Sequence, residues 1–172
     1  MPRLFLIRHG EPELKGTLLG RRDPGLSAEG RIAAGAAMAG IDAAVAYVSP
    51  LRRARETAAF LPPGIRRIIT GGLIEIGLGE WEGLEWREVE ARWPDVARRK
   101  LERWFDVPAP GGETWPRVVA RAARVIERIR AGPFPAAVVA HLGINSAIIA
   151  QLTGSDPRMC VQGYCEILTY DI

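Results

Sequence analysis

Two runs, AAVAYVS (43–49) and AAVVAH (136–141), are apolar almost without interruption and too short for globular helices. Continuous apolar runs of this length are what a parallel strand buried on both faces requires. Three further stretches read as strands, at 3–8 (RLFLIR), 65–70 (IRRIIT) and 166–171 (EILTYD). Helical stretches lie between them. One is capped by Ser27, carries Glu29 in its first turn and ends at Gly40. Others are expected at about 51–60, 84–104 with a break at Pro94, 115–131 after Thr114, and 144–153. Strands alternating with helices predict an α/β fold, a three-layer α/β/α sandwich around a mostly parallel sheet. The 172 residues suit one domain spanning 1–172, with a short helical cap at about 77–110.

In such sheets, ligands gather at the carboxyl ends of the strands. The first strand ends in Arg8, His9, Gly10 and Glu11; the 136–141 strand ends in His141, with Gly143 just beyond. These are the only two histidines in the chain. The 43–49 strand ends in SPLRR, which adds Ser49 and Arg53. Three strand ends can therefore converge on one pocket holding guanidinium forks, imidazoles and loop amides, a set suited to a phosphate dianion. Neighbouring cations keep an imidazole neutral, so one histidine can serve as a nucleophile. A bond from its Nδ1–H to a backbone carbonyl, for which Gly10 is placed, would leave Nε2 with the lone pair. A leaving alcohol also needs a proton. Glu11 is one candidate donor; Glu75, flanked by Leu73, Ile74 and Ile76 in semi-apolar surroundings, is the other.

Composition narrows the remaining classes. The net charge is +3 and only Lys15 and Lys100 are lysines, but acidic residues are interleaved throughout, so no nucleic-acid-binding stripe forms. Two histidines beside arginines make a poor metal site, and no carboxylate or cysteine has ligand spacing, so no metal is expected. Cys160 and Cys165, in CVQGYC, match neither a redox nor a zinc motif and fit a reduced compartment. No signal peptide and no membrane-length segment is visible, which makes a cytoplasmic location the expectation.

Taken in order, LIRHGE, LGRRDPGLSAEG, SPLRRARETA, LIEIGLGEWEG, PGGET and VVAHLG resemble the motifs of the histidine phosphatase superfamily, the phosphoglycerate mutase-like group. The resemblance covers essentially the whole chain. It implies His9 as the phosphate acceptor, a phosphohistidine intermediate, and Arg8, Arg53 and His141 around the phosphate. It implies Glu75 as general acid and then base, and neither cofactor nor metal. There are two departures from the pattern. Leu142 stands where the family has glycine after its second histidine, and Lys15 stands where mutases carry asparagine. Both become candidate substrate-lining residues.

Mutases of this group are longer, with an insertion that closes over the substrate. The short cap here should admit water, which hydrolyses a phosphohistidine. The expected function is therefore a phosphatase acting on a small phosphomonoester. The chain looks most like α-ribazole phosphatase-type bacterial members. The alternatives are a cofactor-dependent phosphoglycerate mutase and a non-catalytic phospho-ligand binding module. All five tryptophans fall between 81 and 115; Trp86 and Trp93 share a helical face and should be core, whereas Trp81 is the candidate to stack on the leaving group. The C-terminal strand could pair across a homodimer edge.

Overall fold

The structure is a computed structural model that describes residues 2–172. Five strands form its sheet: β1 (Arg3–Arg8), β2 (Val45–Val48), β3 (Arg66–Ile69), β4 (Ala136–Ala140) and β5 (Ile167–Asp171). Among the described residues the α-helices are α1 (Ala28–Met38), α2 (Arg52–Ala58), α3 (Trp86–Arg92), α4 (Pro94–Glu102), α5 (Trp115–Arg130) and α6 (Leu142–Thr153). The strand order is β3-β2-β4-β1-β5, parallel except for β5, which runs antiparallel to β1 at one edge.

The two-residue period of the strands divides the core. Leu4, Leu6, Val45, Tyr47, Ala136 and Val138 face α5 and α6. Ile7, Ala46, Val48, Ala137 and Val139 face α1 and α2, against Met38, Ala54 and Ala58. Both faces are thus covered, which is why β2 and β4 carry no polar residue.

Helix boundaries follow local chemistry. Ser27 Oγ accepts from the Gly30 N–H at 2.9 Å and caps α1 as expected. Thr114 occupies the N-cap position of α5 but makes no side-chain cap bond. The 84–104 stretch divides at Trp93 into α3 and α4, because Pro94 disfavours helical geometry in the residue before it. The last long helix starts at Leu142, two residues earlier than expected, with His141 itself as N-cap. Among the described residues, no helix is long and apolar enough to cross a membrane.

Helices α3 and α4, in the segment expected to form the cap, pack on each other and build an apolar cluster of their own. Trp81 is its core: it is 1% exposed and packs on Trp86 and Trp93, with centroids at 5.8 and 6.3 Å, alongside Val89, Ala97 and Ala109. The expectation that Trp81 lines the substrate pocket is therefore corrected. Leu78, Leu84, Trp86, Trp93 and Val96 close around it, so its ring has no face left for the cavity. Trp81→Ala is expected to cost about 3–5 kcal/mol of stability in urea denaturation, as core tryptophan truncations do. A loss under about 1 kcal/mol would contradict this packing role.

Candidate active site

Register builds the site. β1 and β4 pair in parallel, with Arg8 opposite Ala140, so His9 and His141 are the next residues on adjacent strands. The His9 N–H donates to Ala140 O at 3.0 Å, and the two ring centroids lie 4.9 Å apart. β2 lies on the other side of β4; its following residue, Ser49, has its Oγ 2.7 Å from His141 Nε2.

Both nitrogens of the His9 ring have roles fixed by their partners. Nδ1 donates to its neighbour's carbonyl, Gly10 O, at 2.7 Å. Nε2 accepts from Arg53 Nε at 3.3 Å and so carries the lone pair. Arg53 is held by two carbonyls, donating from Nη1 to Arg22 O at 2.6 Å and from Nη2 to Gly20 O at 2.8 Å. Thr57 ties the pieces together, accepting from the Gly10 N–H and donating to Arg53 O. Arg8 donates to Gln162 O at 2.6 Å and its guanidinium sits 4.2 Å from the Tyr164 ring centroid. Two buried nitrogens beside this cluster, Arg8 Nε and His141 Nδ1, have no partner in the protein. If Ser49 donates to Nε2, His141 carries its proton on that unpartnered Nδ1. Orphaned buried donors cost stability, and an anion would satisfy them.

Burial and the adjacent Arg53 and Arg8 charges hold the His9 pKa down at about 3, although the Gly10 bond opposes this. His141 is lowered well below 6.5 by burial first, then by His9, Arg53 and other cations.

Glu75 reaches the site from the strap after β3. Rather than apolar surroundings, its carboxylate meets three backbone donors: Ile76 N–H at 2.8 Å, Ile144 N–H at 3.2 Å and Gly143 N–H at 3.2 Å. The last two are free because they open α6. A Cβ on Gly143 would lie 2.6 Å from Glu75 Oε1, so glycine is what permits this approach. A buried ion pair fixes the strap from behind. Arg121 binds both Glu113 oxygens, at 2.9 and 3.0 Å, and donates to Gly72 O and Ile74 O at 2.7 and 2.6 Å. The PGGET segment thus holds the Glu75 strap through Glu113, a role its turn-like sequence did not disclose.

Arg8, His9, Arg53, Glu75 and Leu142 all line one cavity of about 380 Å³. His141 is fully buried behind His9 rather than on the wall. Glu11, the other candidate acid, is engaged elsewhere, with Lys15 at 2.7 Å and Ser27 at 3.0 Å. Lys15 therefore does not line the cavity, correcting that expectation; its i,i+4 partner holds it on the surface. The walls include Phe105 and Tyr164, which sequence reasoning passed over, and Trp104, one of the five tryptophans among which that reasoning favours Trp81. Tyr164 lies in CVQGYC, a stretch read only for its cysteines. Among the described residues, no group of three His, Cys, Asp or Glu could hold a metal ion.

With this geometry, the chain's class is clear: it belongs to the histidine phosphatase superfamily, branch 1, whose family model matches residues 4–167. The 2,3-bisphosphoglycerate-dependent phosphoglycerate mutase of Brucella ovis is 37% identical over 123 residues, 64% of this chain and 60% of that relative. The matched stretch thus spans less than two thirds of the mutase. A mycobacterial glucosyl-3-phosphoglycerate phosphatase has a similar structure, with TM-score 0.87 and 28% identity over 98% of this chain and 89% of that one. An Escherichia coli K-12 protein provisionally assigned as an α-ribazole-5′-P phosphatase gives TM-score 0.80 and 27% identity, covering 92% and 82%.

Two predictions test the site's physics. Glu113→Ala leaves Arg121 buried without its carboxylate and should cost about 3–5 kcal/mol in urea denaturation. The folded state keeps both imidazoles neutral, whereas the unfolded chain protonates them near the ordinary value of 6.5. Below that pH the unfolded state binds more protons, so stability falls as pH drops. Between about pH 7.5 and about pH 5.5 each histidine should remove about 1.4 kcal/mol. The His9→Gln/His141→Gln double variant should lose this slope; an unchanged slope would contradict neutral burial.

Proposed function

We propose that the chain is a phosphoric monoester hydrolase acting through a phosphohistidine on a small phosphorylated metabolite. The observation that carries this is His9 itself: neutral, with its Nδ1 proton committed to Gly10 O and its Nε2 lone pair beside Arg53 on a cavity shared with Glu75. In the first step Nε2 attacks phosphorus and the ester P–O bond breaks. The leaving oxygen takes a proton from the Glu75 carboxyl group. In the second step Glu75 takes a proton from water, the water oxygen attacks phosphorus, and the N–P bond breaks to give inorganic phosphate and free His9. Arg8 and Arg53 stabilise the transferring group from the cavity wall, and His141, buried beside His9, supports it from behind that ring unless its unpartnered Nδ1 turns toward the phosphate.

Water as acceptor is supported by the cap, whose two helices are only seven and nine residues long. Such a cap gives little cover against water. The mutase reading rests on the 37% identity to the Brucella enzyme. It requires a bisphosphate primer and retention of the phosphate.

The test is p-nitrophenyl phosphate hydrolysis in EDTA without primer, followed by a panel of metabolites beginning with α-ribazole 5′-phosphate. Release that disappears in His9→Ala is the expected result. Activity that appears only with a bisphosphate primer would favour the mutase. Glu75→Gln should lower kcat on alkyl esters by about 10²–10⁴-fold. Gly143→Ala should displace the Glu75 carboxylate and lower kcat comparably, with a modest drop in urea midpoint because the Ile76 side chain must also shift. Full activity in Gly143→Ala would remove Glu75 from the mechanism as described.

A further inference from the structure

Beyond its anion-binding end, the cavity is built of the wrong material for a second charge. Its walls are Leu18, Leu78, Trp104, Phe105, Leu142 and Tyr164. Trp104 remains 38% exposed although it stacks near Trp86, with centroids 5.9 Å apart; Phe105 is braced by Trp115 at 4.1 Å. Leu142 adds an isobutyl group to the wall at the first residue of α6. Arg8 and Arg53 are cations of the phosphate end, and both are already oriented by carbonyls. The one other cationic side chain on the wall, Arg158, is closed on Asp156 by hydrogen bonds at 2.5–3.0 Å. Among the described residues, a substrate with a second carboxylate or phosphate would have to draw Arg158 away from Asp156 and would share the cavity with Glu75. Thr17 is different: it lines the cavity and its buried hydroxyl has no partner in the protein.

We propose that the substrate is a monoester whose alcohol part is an uncharged, aromatic or otherwise apolar body, seated against Trp104, Phe105 and Leu142 with one hydrogen-bonding group for Thr17. The inference rests on the phosphomonoesterase reading and names the substrate class of that same site. Burying a ring against such walls favours binding by apolar transfer and aromatic stacking. A sugar or glycerate body carries several polar groups, and beyond the phosphate end the wall offers them little more than the Thr17 and Ser146 hydroxyls.

Two phosphonates of similar size read this directly, because neither is turned over. Benzylphosphonate and 3-phosphonopropionate present the same anion, one with a ring and one with a carboxylate. In calorimetric titration of the full chain, benzylphosphonate should bind at least about 10-fold more tightly. Trp104→Ala should cut that ratio by about 5–10-fold and Trp104→Phe should restore most of it. Urea midpoints of both variants would confirm that they fold; Leu142→Ser gives a second, independent probe and should also reduce the ratio. Equal affinities, or tighter binding of 3-phosphonopropionate, would overturn the inference whether or not the protein hydrolyses any ester. Conversely, benzylphosphonate selectivity without turnover of p-nitrophenyl phosphate would leave the apolar seat standing and remove the hydrolase reading.

Discussion

The parallel register between β1 and β4 carries His9 and His141 one step past the last paired residues, so that two imidazoles meet at adjacent strand ends. Neither can move without breaking the β1–β4 ladder, in which every residue of β4 is buried. The backbone order that brings them together is unusual in chain terms: β4, more than a hundred residues after β1, inserts between β1 and β2. That insertion also delivers Ser49 to His141 and, through α2, Arg53 to His9.

Electrostatics then follow from placement. Arg8 and Arg53 raise the local potential, burial strips water from the imidazoles, and both effects favour neutral rings. A neutral imidazole with its Nδ1 proton committed is a lone-pair donor directed by its own backbone. The opposite charge in the cavity, Glu75, is held by the first N–H groups of α6, the helix that follows His141. One strand–helix junction therefore orients both a candidate phosphate contact and the candidate acid, and the Glu113–Arg121 pair locks the strap from the other side.

The cap works on different physics. Its stability comes from a small tryptophan cluster, with Trp81 innermost. The aromatic groups left at the cavity, Trp104 and Phe105, follow α4 where its last turn has run out. Packing the cap and furnishing the cavity wall thus draw on the same short, aromatic-rich segment, and burial decides which residue does which.

Much of this was legible from the residues. Continuous apolar runs specified strands buried on both faces. Ser27 and Pro94 marked helix boundaries by local hydrogen bonding and steric exclusion. Arg8, His9, Arg53 and His141 stood out because polar chemistry at the ends of buried strands is costly unless it meets at a site. Glu75 was one of two candidate acids on the residues, and the family motifs chose it over Glu11. These signals are local or periodic, so a linear reading recovers them. Tertiary structure alone decided the rest. Lys15 and Trp81 left the site, one drawn to Glu11 and one into the cap core. Tyr164, Trp104, Phe105 and Arg121 entered through contacts between residues far apart in the chain. The start of α6 at Leu142 exposed the amides that hold Glu75. Burial, ion pairing and cavity shape depend on which distant surfaces face each other, and sequence spacing carries no measure of that.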